Sequence, residues 1–235
     1  MTSKLQHLIF MTDSPLYSDS SDTASAQYPQ IRQQIRHTAL TQRRQLSFCQ
    51  QQSAEKALCR QLKRVSAYRR ARSVALYLST ASEAGTARLL KMVLRDGKRC
   101  FLPVLHPWQK HKMLFVRYTG AEFLRSNRWG IKEPQLAQQR CLKPTQLDLV
   151  ILPLVAFDME GHRLGMGKGY YDRAFAFRCQ TEGKPFLLGL AHECQLAGQL
   201  LPVAAWDVDL DAVATADRII TFRANRSVPL HLQER

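Results

Sequence analysis

Four glycines stand within nine residues of this 235-residue chain, at positions 161, 165, 167 and 169. The run reads Gly161-His162-Arg163-Leu164-Gly165-Met166-Gly167-Lys168-Gly169-Tyr170-Tyr171-Asp172. Upstream lies an apolar run, Leu147 to Phe157, long enough for a buried strand. Downstream, Arg173 to Cys179 is compatible with a helix. Strand, glycine loop and helix in that order present backbone N–H groups to an anion such as phosphate. A plain turn has no use for near-alternating glycines, a lysine and paired tyrosines at once.

The spacing excludes both common nucleotide fingerprints. A P-loop reads G-x-x-x-x-G-K-[ST]; here Gly167-Lys168 is followed by Gly169, and His162 occupies the place of the first glycine. A dinucleotide loop reads G-x-G-x-x-G, and Gly165-x-Gly167-x-Gly169 does not. The chemistry survives the failed spacing. Glycines at 165, 167 and 169 let the backbone approach a phosphate and take positive φ. Lys168 and Arg163 supply cations. Asp172 stands where it can cap the helix or face a Mg²⁺ on phosphate oxygens, and Tyr170 and Tyr171 offer flat faces to a ring.

The rest of the chain reads as one α/β domain. Residues 1–28 are polar with no sustained period, which predicts a disordered extension ending at Pro29. From Gln30 to Arg70, apolar residues recur at three- to four-residue steps, the mark of two amphipathic helices with a turn near Leu46-Ser47. Arg32 and Arg36 share one helix face. Ser73–Ser79 reads as a buried strand and Thr80 to Gly85 as a loop carrying Glu83. Ala87–Leu94 reads as a helix capped by Thr86 and stopped by Asp96-Gly97. Lys98–Val104 gives the next strand, and a strand-helix-strand unit of this length favours a parallel sheet. Met113–Tyr118 reads as an antiparallel or edge strand and Trp129–Pro134 as an irregular connection. Phe186–Ala191 is another buried strand, and Ala212–Thr215 and Arg218–Thr221 are short terminal ones. The domain is expected over residues 29–223, with a polar tail at 224–235.

Charge narrows the partner. The net charge is +15, and residues 30–72 hold eleven Lys or Arg against one acid, Glu55. That balance suits an anionic ligand. No apolar run approaches the roughly 18 residues of a membrane span, and the amino terminus lacks the shape of a signal peptide. The six cysteines show neither C-x-x-C nor zinc spacing, which suits a reducing cytosol.

The segment Arg163–Asp172 resembles the signature of the 5-formyltetrahydrofolate cyclo-ligase family, also called 5,10-methenyltetrahydrofolate synthetases. Other pieces follow in the family's order: Arg32-Gln33-Gln34-Ile35-Arg36, Leu78–Thr86, Gly97–Pro103, Ile131–Pro134, Leu152–Asp158 and Pro202–Asp207. The resemblance spans residues 30–215. It implies a single three-layer α/β/α domain with a mostly parallel sheet, similar to the sugar-phosphate isomerase and CoA transferase folds. It also implies ATP-dependent closure of 5-formyltetrahydrofolate to 5,10-methenyltetrahydrofolate, with release of ADP and phosphate.

By the same resemblance Arg32, Gln33, Gln34, Ile35 and Arg36 meet ATP, with Arg163, Leu164, Gly165, Met166, Gly167, Lys168, Gly169, Tyr170 and Tyr171. Thr80, Glu83, Gly85 and the Met166–Tyr170 stretch meet the folate. Lys168, Arg163 and Tyr170 are the candidate catalytic residues, and Asp172 and Asp207 the carboxylates for Mg²⁺. The expected protein is a cytoplasmic monomer with no membrane or specific nucleic-acid partner, acting on a folate with or without a polyglutamate tail. Two departures stand out. Gly85 replaces a usual carboxylate, so Glu83 must serve alone, and Arg32 replaces lysine, which keeps charge but changes geometry.

Two other readings compete. The basic 30–72 region suits an RNA-binding protein, although no RRM, KH or zinc signature accompanies it. A sugar-phosphate or CoA-dependent enzyme would share the fold.

Overall fold

Residues 20–80, 82–106, 108–109, 112–121, 123–127, 130, 132–134, 141–181 and 183–222 are described by the structure, a computed structural model, with side chains from Tyr28 onward. The first 19 residues, Trp129, Ile131 and the tail from 223 lie outside the described residues. Three helices open the chain: α1 (Ser20–Arg44), α2 (Phe48–Arg64) and α3 (Ser66–Arg70). The helix α1 carries Pro29 inside it, so the expected boundary at that residue is not a helix end. A proline removes one backbone donor and strains a turn, but it does not force a stop. Ser47 begins α2 with a reciprocal capping box with Gln50.

The strands and helices that follow are β1 (Ser73–Ala75), α4 (Ala87–Arg95), β2 (Arg99–Leu105), β3 (Met113–Tyr118), β4 (Leu124–Ser126), β5 (Lys132–Pro134), β6 (Cys141–Leu142), β7 (Leu149–Pro153), β8 (Ala156–Phe157), β9 (Arg163–Leu164), α5 (Tyr170–Phe175), β10 (Phe186–Leu190), β11 (Ala212–Ala214) and β12 (Ile219–Thr221). Eight of the strands form one sheet in the order β12-β11-β10-β7-β1-β2-β3-β6. From β11 to β2 every neighbouring pair is parallel. The antiparallel strands stand at the two edges.

The two-residue period of the strands sorts the core. Val74, Leu149, Ile151, Leu188, Leu190, Ala212 and Ala214 point to one face, against α2, α3 and α4. Ala75, Phe101, Val150, Leu152, Leu187 and Val213 point to the other, against Phe175 of α5 and Val208 and Leu210. Strands covered on both faces read as unbroken apolar runs, which is why they were visible in the sequence. The layers are therefore helix, sheet and helix, as expected.

Several local expectations need correction. The run Leu147–Phe157 is two strands, not one. After β7 the chain leaves the sheet at Leu154 and enters a separate hairpin of β8 and β9. Asp158 shapes the hairpin turn by accepting the Glu160 and His162 N–H groups on Oδ1, each at 3.0 Å. The glycine loop therefore follows a hairpin rather than the central strand. Its helix begins at Tyr170, behind Gly169 in a left-handed conformation, so Asp172 is not the cap. Thr86 stands at the N-cap of α4 as expected, but its side chain makes no capping bond; the hydroxyl donates to the Tyr77 carbonyl at 2.8 Å. Glu55 of α2 accepts the Arg88 N–H at 2.7 Å instead, and meets the α4 amino end from outside. The segment 132–134, expected to be irregular, pairs with β4.

Candidate functional site

The carboxyl ends of β1, β2 and β7 open into a cavity of about 1020 Å³. Its position is that of ligand sites in open α/β sheets. Leu102, Pro103, Leu105 and Met113 form an apolar wall from the sheet edge, and Leu154 and Val155 lie where β7 ends. Asn127, Lys132 and Glu133 reach in from the β4–β5 hairpin, where Glu133 accepts a bond from Asn127 at 3.0 Å. Arg32 and Arg36 of α1 and the loop from Gly165 to Gly169 line the same cavity. One cavity thus has an apolar lining and a cationic one.

The cationic lining is tied together across the chain. Arg36 Nε donates to the Gly165 carbonyl at 2.8 Å. Burial, then the neighbouring Arg32, lowers the Arg36 pKa from its ordinary value, while Asp207 opposes the shift. Arg32 pairs with Asp207 at 2.9 Å, and its Nε is buried with no hydrogen-bond partner among the described residues. Asp207 also accepts the Ala204 N–H at 2.9 Å on the same oxygen, Oδ2. Arg163 is only 7% exposed. It donates to the Val208 carbonyl and, at 2.6 Å, to Asp172 Oδ1, which also accepts the Val208 N–H at 3.3 Å.

Gly167 and Gly169 have φ of 83° and 60°, which side chains other than glycine rarely adopt. Gly165 has no such need, and a Cβ built there meets nothing within 4 Å. Met166 and Lys168 are exposed on the loop. Tyr170 begins α5, with the Arg173 guanidinium 5.5 Å from its ring centre. Tyr171 packs over Phe175 at 6.4 Å, and burial pushes its phenol pKa up, so it stays neutral.

Most of the residues singled out in the sequence meet here: Arg32, Arg36, Thr80, Glu83, Arg163, Gly165, Met166, Gly167, Lys168, Gly169, Tyr170, Tyr171, Asp172 and Asp207 all line the cavity. Four do not. Gln33 and Gln34 are exposed and outside the lining. Ile35 and Leu164 pack together in a small core cluster. Gly85 is also outside the lining; a Cβ there would stand 3.0 Å from the Glu55 side chain. A carboxylate is thus present beside position 85, but Glu55 carries it and it serves the α4 amino end.

The lining also holds residues given no role from the sequence: Tyr77, Asn127, Lys132, Glu133, Arg173 and Trp206. Two of their segments, 131–134 and 202–207, stood out by resemblance. Trp206 is 72% exposed, an unusual place for an indole and a signal in itself once seen beside Asp207.

The carboxylates expected to hold a metal each face an arginine, and no cluster of three His, Cys, Asp or Glu occurs among the described residues. An all-protein metal cage is therefore not built. Both bonds to each carboxylate fall on one oxygen, Oδ1 of Asp172 and Oδ2 of Asp207. Two carboxylates with the phosphates of a substrate are the usual protein share of a Mg²⁺ site. The residues present fit a metal delivered with a nucleotide.

A parallel sheet whose strands end in one cavity with both apolar and cationic lining is the arrangement of an α/β enzyme. The profile of the 5-formyltetrahydrofolate cyclo-ligase family matches residues 29–216, and the chain belongs to that family. It is 40% identical over 182 residues to a 5-formyltetrahydrofolate cyclo-ligase of Haemophilus influenzae, covering 77% of this chain and 95% of that one. It is 35% identical over 157 residues to the mouse cyclo-ligase, covering 64% and 76%. The solved 5,10-methenyltetrahydrofolate synthetase of Aquifex aeolicus superposes with a TM-score of 0.70 at 28% identity, over 87% of this chain and all of that one. A synthetase from Mycoplasma pneumoniae, 21% identical with a TM-score of 0.61 over 79% and 98%, shares the fold.

Proposed function

We propose that this chain closes 5-formyltetrahydrofolate to 5,10-methenyltetrahydrofolate at the cost of ATP, with ADP and phosphate released. The observation that carries the reading is the buried Arg32 Nε with no hydrogen-bond partner among the described residues, beside Arg36 and the glycine loop. A buried guanidinium N–H without an acceptor is costly, and a phosphate oxygen would supply one.

The formyl oxygen of the substrate is a poor leaving group. Transfer of the γ-phosphoryl group converts it to phosphate, N10 attacks the formyl carbon, and the C–O bond breaks as phosphate departs. Positioning and charge neutralisation dominate such a transfer. Arg32, Arg36 and Lys168 neutralise the triphosphate, and the loop N–H groups orient it. Arg163 acts by holding Asp172 and the Val208 backbone. Tyr170 closes the loop end beside the reacting groups. Thr80 and Glu83 orient the folate ring, and the apolar wall covers its face. Mg²⁺ would be held by Asp172 and Asp207 and would supply charge to the phosphates. Lys132 at the hairpin suits the glutamate end of the folate, with or without further glutamates. We place the enzyme in the cytoplasm as a monomer; none of its six cysteines is in a disulfide.

Near-UV absorbance of the methenyl product, after mixing protein, Mg-ATP and 5-formyltetrahydrofolate, tests the reading. No product above a protein-free control would overturn it. Lys168→Ala should lose about 10²–10³ in kcat, the scale for one donor to developing charge. Its melting temperature should not move, because the side chain is exposed.

A further inference from the structure

Arg43 is a basic residue that the reaction above does not use. It is 5% exposed, near the end of α1, and it does not line the cavity. Burying a guanidinium costs several kcal/mol unless its bonds are good, so its partners matter. Nε donates to Ser82 Oγ at 3.2 Å, and Nη1 donates to the Leu154 carbonyl at 3.4 Å. Ser82 adjoins Glu83, whose carboxylate closes its own turn by accepting the Thr80 N–H at 2.8 Å. Leu154 lines the cavity where β7 ends, and its carbonyl also accepts a bond from Gln195 at 2.7 Å. Buried His192 stands nearby, its pKa lowered by burial and then by the charge of Arg43. One of Arg43's acceptors, Leu154, therefore lines the cavity, and the other, Ser82, adjoins Glu83, which lines it too.

The helix joins these residues to the cationic lining. Arg32, Arg36 and Arg43 lie at spacings of four and seven residues, which keeps them within about 40° of one line along α1. The line is about 16 Å long at the usual rise per residue. Its first arginine holds Asp207, its second holds the Gly165 carbonyl, and its third holds the Ser82 loop. One rigid element thus touches the nucleotide loop, the Asp207 turn and the folate loop.

We propose that Arg43 is a positioning residue for the second substrate: it fixes the Thr80–Glu83 loop to the helix whose other arginines meet the nucleotide. The distance between Glu83 and the phosphates is then set by α1, and not by the loop's own stiffness. The inference rests on the function proposed above and assigns how its two ligand halves are kept in register.

The test uses full-length Arg43→Lys and Ser82→Ala proteins. Ser82→Ala removes one bond on a half-exposed loop and spares the buried arginine, so it remains readable if changes at 43 disturb folding. Lysine keeps the charge but loses the planar fork whose Nε and Nη1 reach the two acceptors. Titration calorimetry measures 5-formyltetrahydrofolate and a non-hydrolysable ATP analogue separately, and steady-state kinetics gives KM for each substrate. Folate affinity should fall about tenfold in both variants, the worth of one bond to a charged donor. Affinity for the ATP analogue should stay within about twofold. Unchanged folate affinity in both variants would overturn the proposal. So would an equal loss for both ligands, which signals general loosening. A wild-type protein that binds the ATP analogue but not the folate overturns the functional reading itself, and this inference with it.

Discussion

Arg36 and Gly165 are 129 residues apart in the chain and are joined by a 2.8 Å bond from the guanidinium Nε to the glycine carbonyl. The same guanidinium stands 3.8 Å from where a Cβ at Gly167 would be. The first helix therefore holds the shape of a loop that its own residues cannot fix, since two of its glycines are at positive φ. Arg36→Met should lower kcat/KM for ATP about 10²-fold, the combined loss of a charged bond to the loop and a cation for phosphate. Arg36→Lys should recover only part of it, because a compact ammonium lacks the planar fork that reaches two acceptors from fixed directions. Kinetics with ATP varied at saturating folate checks this.

Gly165 offers a cleaner experiment than the other loop glycines. Neither its backbone angle nor its packing requires glycine. If the position is kept open for a ligand, Gly165→Ala should leave the melting temperature unchanged and still raise KM for ATP, by about tenfold for one displaced contact. Gly167→Ala, at φ of 83°, should lose about 1–2 kcal/mol of stability as well. Thermal melts beside ATP titrations separate the two cases.

What the sequence made visible and what it hid have physical reasons. The central strands were readable because Val150 and Ile151, or Leu187 and Leu188, are buried on opposite faces, so the whole segment is apolar. The β8–β9 hairpin was hidden because a two-residue strand has no period to detect. The loop residues at the site stood out because close approach to a ligand demands unusual residue types. Arg43 did not, because a buried arginine in a basic segment looks like any of its solvated neighbours. The contact between Gly85 and Glu55 crosses thirty residues of chain, and no local pattern announces it.

Asp172 pairs with Arg163 at 2.6 Å, and its substitution tests that ion pair and the proposed metal role by different measurements. Its carboxylate is the partner of a guanidinium whose side chain is 5% exposed, so Asp172→Ala leaves a buried charge with only the Val208 carbonyl. Loss of one partner of a buried pair costs roughly 3 kcal/mol at the low end, readable in urea unfolding. Asp207→Ala exposes a less buried partner, Arg32, with a side chain 20% exposed, and should cost less. If both carboxylates also share a Mg²⁺ on the nucleotide, the half-saturating Mg²⁺ concentration should rise about tenfold in each. A rise in neither would remove the metal role and leave the ion pairs as purely structural.

His192 is buried beside Arg43, and its titration gives the protein an acid limit. Burial, and then the charge of nearby Arg43, lowers its pKa from the ordinary 6.5, although the nearby Glu83 backbone works the other way. The ring is therefore neutral in the folded protein at pH values where the unfolded chain has begun to protonate it. Below pH 6.5 the unfolded state binds the extra proton, so stability falls as pH drops through that value and is fully present above it. The slope from this group cannot exceed about 1.4 kcal/mol per pH unit. His192→Gln cannot titrate, so urea unfolding at pH 7.5 and 5.5 should show a smaller acid loss in the variant than in the wild type. Other histidines contribute equally to both proteins and cancel in the difference. Folate affinity should follow the same course, because protonating His192 would set a second positive charge against the Arg43 guanidinium that bonds Ser82. An acid loss of equal size in both proteins would remove His192 from the account.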